Sequence, residues 1–202
     1  MLLYGAGGHA RVIYECIQAN GGDVSFIFDD NPTITSLNNV PVVGPYNPEF
    51  NFNQAIVIAI GNNLIRKTTS EKITHRFGTV IHPSALVSPH VQLDVGTVLI
   101  HGAIIQSGVS IKRHCIINTG SIIEHDCIVN DFVHVASKVL LSGNVKIGEG
   151  TLLGAGSTVI PNIKIGKWCV IGAGTVIIKD VPDYSMVVGV PGRIVKSLAK
   201  ND

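Results

Sequence analysis

A six-residue period runs without a gap from Ile81 to Pro182, and it limits the possible folds more strongly than any other feature of the chain. These 102 residues divide into 17 blocks, and every block begins with Ile, Val or Leu. Position 5 is always Ala, Ser, Thr, Cys, Val or Ile, and position 4 is most often Gly. A period of six fits neither the ~3.6-residue turn of an amphipathic helix nor a heptad repeat. The segment is therefore predicted to form a repetitive β-structure.

Each block is expected to form one short strand and a sharp corner, so that three blocks close one triangular coil. The side chain at position 1 would point inward and stack on its equivalents in neighbouring coils, which buries an aliphatic column. Position 4 is the corner, where Gly, Asn and Asp tolerate a positive φ. Seven blocks carry Gly at this position: Gly96, Gly102, Gly108, Gly120, Gly150, Gly156 and Gly174.

Before the repeat, strand-like segments alternate with helical segments, which predicts a small parallel α/β sheet. The Pro- and Asn-rich segment 31–52 is expected to be mostly loop, with a short strand near Val42. The other expected elements are strands at residues 1–4, 24–28 and 55–60 and helices at residues 10–20 and 64–77.

The first predicted strand leads into a loop that fits the dinucleotide fingerprint GxGxxA through Gly5, Gly7 and Ala10. Glycines let backbone amides at the start of a helix approach a phosphate, and Asp29, about 20 residues on, could hold ribose hydroxyls. His9 could donate to a phosphate or cap the helix. Three interpretations of the loop remain open: it binds NAD, it binds the diphosphate of a nucleotide sugar, or it is a tight turn without a ligand.

Charge and hydropathy exclude several classes of protein. The net charge is +1 without a run of like charges, which argues against nucleic-acid and membrane-surface binding. No apolar stretch approaches the ~20 residues of a membrane span, and the N-terminus does not resemble a signal peptide. The four cysteines form no CxxC pair, which is typical of free thiols in a reducing compartment. We therefore expect a soluble cytoplasmic protein.

One of the eight histidines, His125, has neighbours suited to catalysis. Glu124 and Asp126 flank it, and a carboxylate beside an imidazole orients the ring and raises its basicity. Gly143 follows one coil later, so its corner could direct a backbone N–H at a developing oxyanion. A plain corner histidine is the alternative. Solvated corners are expected for the histidines at turn or outward positions: His82, His90, His101 and His114.

The block pattern resembles the hexapeptide-repeat family, whose fold is a left-handed parallel β-helix and whose members are usually trimeric acyltransferases. This resemblance implies that acyl-CoA lies in a groove between neighbouring subunits. Residues 187–193 look like the turn that often follows the last coil. We thus expect an α/β Rossmann-like domain over residues 1–80, an all-β left-handed parallel β-helix over 81–182 and a short C-terminal tail over 183–202.

Zinc offers a competing interpretation, because some hexapeptide-repeat proteins are carbonic anhydrases with three histidine ligands at the trimer interface. Their pattern includes a closely spaced pair of histidines. The spacings from His82 onward are 8, 11, 13, 11 and 9, so that pair is missing. We therefore expect no metal.

Six short motifs occur in order over nearly the whole chain. They are GAGGH at residues 5–9, DD at 29–30, AIGNNLIRK at 59–67, INT at 117–119, IEHDC at 123–127 and GNVKIG at 143–148. Together they resemble the motifs of sugar acetyltransferases. The resemblance is closest to the UDP-4-amino-sugar N-acetyltransferases of the PglD type, which are related to the sialic-acid O-acetyltransferases.

The resemblance implies three groups of site residues. The catalytic group has His125 as the base, Asp126 as the residue that tunes it, Gly143 and Asn118. The nucleotide sugar would contact Gly7, Gly8 and His9 at its diphosphate, Asp29 and Asp30 near the uridine, and Gly61. Acetyl-CoA would contact His134, Ala155 and Ala173 from adjoining chains.

Two positions depart from that family. Asp126 stands where the closest relatives carry Glu, and Ala155 is smaller than the aliphatic residue expected there, so the contact with pantetheine differs.

The expected reaction is direct transfer of an acetyl group from acetyl-CoA to the 4-amino group of a UDP-linked 4-amino-4,6-dideoxy sugar for bacterial glycan synthesis. His125 would take the amine proton, and an N–H near Gly143 would hold the oxyanion. The alternatives are O-acetylation of a sugar hydroxyl, a zinc-dependent carbonic-anhydrase-like lyase, a trimeric scaffold and an NAD-linked oxidoreductase. Cys127, close to His125, leaves a ping-pong route open.

Overall fold

The computed structural model describes residues 1–198, and its first part is an α/β unit. The elements of this unit are β1 (Leu2–Tyr4), α1 (Gly8–Ala19), β2 (Phe26–Phe28), β3 (Ser36–Leu37), β4 (Val40–Pro41), β5 (Ile56–Ile58) and α2 (Asn63–Ser70). Three strands form a parallel sheet in the order β2–β1–β5, so that Leu3 lies between Ile27 and Val57. The predicted small parallel sheet is confirmed.

From Val80 the chain winds into a parallel β-helix of about six turns. Each strand pairs with the strand 18 residues further along, as Ile104 pairs with Ile122. This register is the one that three six-residue blocks per coil predict. The strands of the β-helix are β6 (Val80–Ile81), β7 (Leu86–Val87), β8 (Gln92–Leu93), β9 (Val98–Leu99), β10 (Ile104–Ile105), β11 (Ser110–Ile111), β12 (Ile116–Ile117), β13 (Ile122–Ile123), β14 (Ile128–Val129), β15 (His134–Val135), β16 (Leu140–Leu141), β17 (Lys146–Ile147), β18 (Leu152–Leu153), β19 (Thr158–Val159), β20 (Lys164–Ile165), β21 (Val170–Ile171) and β22 (Val176–Ile177).

A hairpin of β23 (Ser185–Val188) and β24 (Arg193–Ser197) follows, and β23 continues one sheet of the β-helix by pairing with β21. The division into domains at 80/81 and 182/183 stays a prediction. No helix among residues 1–198 has the length and apolar character needed to cross a bilayer.

The three sheets are the faces of a prism, and the outward side chains distinguish them. The docking face contains β6, β9, β12, β15, β18 and β21. The α/β unit packs on its lower part, where lower means towards the first coil of the β-helix. The aliphatic face contains β7, β10, β13, β16, β19 and β22 and presents Leu86, Ile104, Ile122, Leu140, Thr158 and Val176. The lysine face contains β8, β11, β14, β17 and β20 and presents Gln92, Ser110, Ile128, Lys146 and Lys164.

Corners between the faces stack into three edges. Edge 1 joins the docking and aliphatic faces and includes residues 118–120. Edge 2 joins the aliphatic and lysine faces and includes residues 124–126 and 142–144. Edge 3 joins the lysine and docking faces and includes residues 112–114 and 130–132.

The interior of the β-helix is the aliphatic column that the period predicts, since position 1 is fully buried from Leu99 to Val159. Position 5 supplies a second inward side chain from each block, which includes Cys115, Cys127 and Cys169. Ile81 is an exception: its side chain is 38% exposed because it belongs to the first strand, below which no coil covers it.

Every position 4 from Gly96 to Gly174 has a positive φ, including the bulky residues Phe132 (φ 59°) and Trp168 (φ 54°). Such a conformation is uncommon for aromatic residues. The coil imposes it, because the hydrogen bonds of the corner recur at every level of the stack, as from the Phe132 N–H to the Arg113 carbonyl (2.9 Å).

The second helix, α2, ends at Ser70, seven residues before the predicted end. The residues after it join an aromatic cluster instead. The Tyr46 hydroxyl accepts a hydrogen bond from the Thr74 N–H (2.9 Å) and contacts the His75 Nδ1 atom (2.7 Å). Phe77 then forms a parallel bridge with Ile56 at the edge of the small sheet. These tertiary contacts outweigh the helical pattern of the sequence.

His114 is buried, so the prediction of a solvated corner is wrong for this residue. Its ring stacks on Phe132 at 5.2 Å and meets the edge of Phe77 at 4.4 Å. Burial, and to a lesser extent the charge of Arg66, lowers the pKa of His114 to about 4. The α/β unit covers edge 3 at this level, which the sequence period does not reveal.

Acid should therefore destabilise the protein partly through His114. The pKa of this residue is lower in the folded than in the unfolded chain, so its contribution is complete above pH ~6.5 and is lost as the pH falls towards 4. Between pH 7 and pH 5 we expect His114 to account for a loss of about 2 kcal/mol in unfolding free energy. Replacing it by Asn, which tolerates a positive φ, should reduce the fall in Tm over this range by about 5 °C.

Calorimetric or fluorescence melts at pH 7 and pH 5 measure the fall in Tm for each protein. Packing that the substitution removes lowers Tm at both pH values, so it cancels from the comparison. The exposed His90→Asn serves as the matched control and should behave like wild type. An equal fall in Tm for wild type and His114→Asn would contradict the assignment.

Candidate active site

The glycine-rich loop lies at the carboxyl end of β1 and opens a cleft of about 330 Å³. Gly7 is the N-cap residue of α1, no side chain caps this helix, and its first turn holds no acidic residue. Amides at the start of the helix are thus available to an anion. The helix begins at Gly8, two residues earlier than predicted, so His9 belongs to its first turn.

Packing within the chain does not explain three glycines of this cleft. A β-carbon at Gly7, Gly8 or Gly61 would meet no atom within 4 Å, and none of these residues has a positive φ. Gly5 differs, because its φ is +105° and a β-carbon would lie 3.1 Å from the Ala59 carbonyl oxygen. Glycine at the first three positions leaves the backbone open to a ligand.

The two predicted carboxylates line the same cleft but differ in their contacts. Asp29 accepts hydrogen bonds from the Ala6 N–H (2.7 Å) and the Asn31 N–H (2.8 Å), so it fixes the glycine-rich loop. Asp30 accepts a hydrogen bond from the Tyr4 hydroxyl (2.9 Å). Burial and this carboxylate raise the pKa of Tyr4 to about 12. Asp29 therefore has a structural partner that the fingerprint alone does not indicate.

His9 and His134 meet where the glycine-rich loop approaches the docking face, with ring centroids 6.4 Å apart. Burial, followed by the charge of Arg66, lowers the pKa of both rings to about 4, so both are neutral near pH 7. The Asn118 Nδ2 atom lies 3.2 Å from the His134 Nε2 atom, and Gly61 and His134 line the same neighbouring cleft. The His9 Nε2 atom is buried and has no hydrogen-bond partner among residues 1–198.

His125 and Asp126 form a pair on edge 2. The His125 Nδ1 atom lies 2.9 Å from the Asp126 Oδ2 atom, and the two side chains are 64% and 67% exposed. An imidazole held in this way presents its Nε2 atom to a substrate. A β-carbon at Gly143 would lie 2.6 Å from that atom, so the ring rests directly on the glycine of the next coil, as the 18-residue register predicts.

The N–H of Gly143 makes no hydrogen bond within the described part of the chain. The carbonyl of Gly143 accepts one from the Asn162 N–H (3.0 Å), and the His125 carbonyl accepts one from the Asn144 N–H (2.9 Å). The corner is thus rigid, while one of its amide donors stays available.

One chain does not bring all of the predicted site residues together. Gly7, Gly8, His9, Asp29, Asp30 and Gly61 share the nucleotide cleft, and His134 and Asn118 adjoin it. His125, Asp126 and Gly143 lie on edge 2, whereas Ala155 and Ala173 are exposed corners of edge 1. Edges 1 and 2 are separated by the aliphatic face.

Sequence reasoning missed two features near the cleft. Arg66 is only 1% exposed, although it lies in a short helix that is polar at most of its positions and exposes its two apolar residues, Leu64 and Ile65. A second cleft of about 480 Å³ adjoins Gly61 and His134 and is walled by Leu152, Trp168 and Val170. The outward positions of β18 and β21 are apolar, which is a usable signal, but only the fold shows that α2 borders the same space.

No group of three or more His, Cys, Asp or Glu side chains in residues 1–198 is arranged to hold a metal ion. The thiols of Cys115 and Cys127 are buried, and burial raises their pKa to about 12 and about 11. Neither thiol has the low pKa that an activated nucleophile needs.

Comparison with known families assigns both parts of the chain. Residues 1–73 match the family described as PglD N-terminal domain. Residues 144–179 match the bacterial transferase hexapeptide family, described as six repeats.

Two groups of solved structures resemble nearly the whole chain. A mutant of perosamine N-acetyltransferase from Caulobacter crescentus, in complex with CoA and GDP-perosamine, is 35% identical, with a TM-score of 0.91 and 96% of each chain covered. The acetyltransferase domain of PglB from Neisseria gonorrhoeae, in complex with acetyl coenzyme A, is 34% identical, with a TM-score of 0.88 and coverage of 96% of this chain and 98% of that one.

Among curated proteins, serine acetyltransferase 2 of Arabidopsis thaliana is 33% identical over 144 residues, which cover 70% of this chain and 40% of that protein. UDP-N-acetylbacillosamine N-acetyltransferase of Bacillus subtilis is 38% identical over 107 residues, which cover 48% of this chain and 50% of that protein. The chain thus spans half or less of the length of these curated relatives. Its likeness to the two solved structures extends over both of its parts, and on that basis the chain belongs to the family of hexapeptide-repeat sugar acetyltransferases that carry a PglD-type N-terminal domain.

Proposed function

We propose that the protein transfers the acetyl group of acetyl-CoA to the 4-amino group of a nucleotide-linked 4-amino-4,6-dideoxy sugar. The observation that carries the proposal is that one chain holds both an anion-ready glycine-rich cleft and an imidazole oriented by a carboxylate. The Caulobacter crescentus relative is an N-acetyltransferase in complex with CoA and GDP-perosamine, which supports a nucleotide-linked sugar amine as the acceptor. UDP is our first choice of nucleotide, because the Bacillus subtilis relative is named for a UDP-sugar.

The chemistry assigns one task to each group on edge 2. A sugar amine is mostly protonated near neutral pH, and His125 would take one proton from it through the Nε2 atom while Asp126 holds the Nδ1 atom (2.9 Å). The nitrogen then attacks the thioester carbonyl, and the free Gly143 N–H would stabilise the oxyanion. As this intermediate collapses, its nitrogen gives up a second proton to solvent, the amide forms and the carbon–sulfur bond breaks, so that coenzyme A leaves as a thiolate.

A complete site on this proposal needs a second copy of the chain. His125 is mostly exposed and lies on edge 2, whereas His134 lies on the docking face and Ala155 and Ala173 lie on edge 1. The aliphatic face between these edges presents a stripe of aliphatic side chains with one threonine, Thr158, and Leu86 at its lower end is 64% exposed. We propose a homotrimer in which a neighbouring chain covers this stripe and brings its His134 and acetyl-CoA to His125.

A panel of acceptors tests the reaction. Purified protein with acetyl-CoA should release free coenzyme A when UDP-, GDP- or dTDP-linked 4-amino-4,6-dideoxy sugars are supplied, with one nucleotide preferred. Sugars with a hydroxyl at the same carbon, and L-serine, are the comparison acceptors and should react at least ~100-fold more slowly, because a site that pairs with an amine discriminates against a different group. Faster release with serine or with the hydroxyl sugars would reject amine acetylation.

Two separate substitutions test His125 as the base: one removes its ring, and the other changes Gly143, on which the ring rests. His125→Ala should lower kcat/KM by about 100-fold or more while Tm stays near normal, since the side chain is mostly exposed. Gly143→Ala should lower kcat by a similar factor, because the new β-carbon would occupy the space of the His125 ring.

Ser107→Ala, one coil below His125 on the same edge, is the matched control and should retain wild-type kcat. Steady-state assays with the preferred acceptor measure all three variants. Full turnover by His125→Ala would remove it as the base.

The trimer is tested on the aliphatic face. Ile122→Lys places a charge in the middle of the apolar stripe and should convert trimers to monomers that lack activity. Ile128→Lys makes the same change one strand further along, on the lysine face, and should leave the trimer intact. Light scattering after size exclusion gives the mass of each. A wild-type monomer, or a trimer that survives Ile122→Lys, would contradict this arrangement.

A further inference from the structure

Arg66 is a fully buried cation that has no carboxylate among its partners in residues 1–198. Its guanidinium donates only to neutral oxygens. They are the carbonyls of His114 (2.8 Å), Phe132 (2.8 Å), Ile60 (3.0 Å) and Gly61 (3.2 Å), and the Asn63 side-chain oxygen (2.8 Å). A buried charge is costly unless its hydrogen bonds are satisfied, so this set of contacts has to be complete.

The acceptors on the β-helix belong to one column. His114 and Phe132 are corner residues of edge 3 in successive coils, and Gly150 is the next corner above them. The Asn63 side chain donates to the Gly150 carbonyl (2.9 Å) and also accepts from Arg66. Two residues of α2 thus bind three carbonyls that repeat every 18 residues. This contact fixes the height at which the α/β unit sits on the β-helix.

The other acceptors of Arg66 lie in the nucleotide cleft. Ile60 and Gly61 line that cleft beside Gly7 and Gly8, and Gly61 also borders the larger apolar cleft. Gly61 lines this larger cleft together with His134 of the docking face. A single guanidinium therefore connects the floor of the nucleotide cleft to the β-helix.

We infer that Arg66 is a positioning residue, which holds the Ile60–Gly61 segment of the nucleotide cleft at a fixed level of the β-helix. The kinetic consequence of this inference rests on the proposed function, in which the Ile60–Gly61 segment places the nucleotide sugar against the β-helix. Arg66 itself is walled off from the cleft by the backbone that it binds, so it acts through that backbone.

Lysine at this position tests the inference, because Arg66→Lys keeps the charge but cannot donate to five oxygens in a planar fork. We expect the KM for the nucleotide sugar to rise about tenfold or more, since a small displacement of a binding segment is costly. The KM for acetyl-CoA should change by less than about threefold, because Ala155 and Ala173 lie on edge 1, away from α2, and His134 is held by β15 of the β-helix rather than by the Ile60–Gly61 segment. Amide exchange of residues 58–62 should become faster.

Lys67→Met is the matched control. Lys67 crosses the same boundary through its ion pair with Glu149 (2.8 Å), but it touches neither Ile60 nor Gly61. Its loss should leave both KM values and the exchange of residues 58–62 near those of wild type. Equal changes in the two KM values, or an Arg66→Lys variant that differs from wild type only in Tm, would reduce Arg66 to a structural contact and overturn the inference.

Two further measurements separate the possible failures. If Arg66→Lys does not fold, Asn63→Ala replaces it, because this change removes one acceptor of Arg66 and the contact with Gly150. A rise of at least about threefold in the KM for the nucleotide sugar would support the inference. An unchanged KM would overturn it. If wild-type protein releases no coenzyme A with any amino sugar, the proposed function fails. Amide exchange in Arg66→Lys, which needs no substrate, then decides whether Arg66 holds the segment.

Discussion

The backbone enters a left-handed conformation at every sixth residue of the β-helix, and the remaining structure depends on that corner. Because the corner recurs without interruption from Gly96 to Gly174, each residue lies directly above the one 18 positions earlier. The register aligns His125 with Gly143 and builds the column of edge 3 carbonyls that α2 binds. It is strong enough to hold even Phe132 and Trp168 at a positive φ. Both the pair on edge 2 and the placement of the nucleotide cleft therefore follow from one repeated backbone turn.

Around Arg66, the boundary between the α/β unit and the β-helix uses neutral partners. Arg66 donates only to carbonyl and amide oxygens, and the nearby rings of His9, His114 and His134 have pKa values of about 4. A carboxylate beside Arg66 would pair with it and pull it away from the carbonyls. Uncharged imidazoles instead tolerate the guanidinium, and burial, followed by the charge of Arg66, lowers their pKa and keeps them unprotonated. The arrangement gives the boundary geometric precision at the cost of sensitivity to acid.

The sequence predicts most of the fold because its main signals are periodic. The six-residue period gives the coil, the register and the contact of His125 with Gly143, and the glycine-rich loop gives the anion-ready helix end. The errors lie where distant segments meet. Ile81 is exposed by the end of the stack, α2 is shortened by the Tyr46 cluster, and His114 is buried beneath Phe77. Arg66 gives no signal in a polar helix, because its buried state depends on a surface formed about 50 to 70 residues later in the chain.

The stacked corners also restrict how chains of this kind can change in length. Several large side chains project over a small residue one level away, as Trp168 does over Gly150 and Asp126 over Gly108. Insertion of a single block would rotate everything above it by a third of a turn and exchange the three faces. The lower half of the apolar stripe would then be continued by outward residues of the docking face, His134 among them. Only whole coils preserve every facing pair, and descendants of this chain can therefore grow or shrink in steps of three blocks, with any shorter insertion confined to a corner that bulges into solvent.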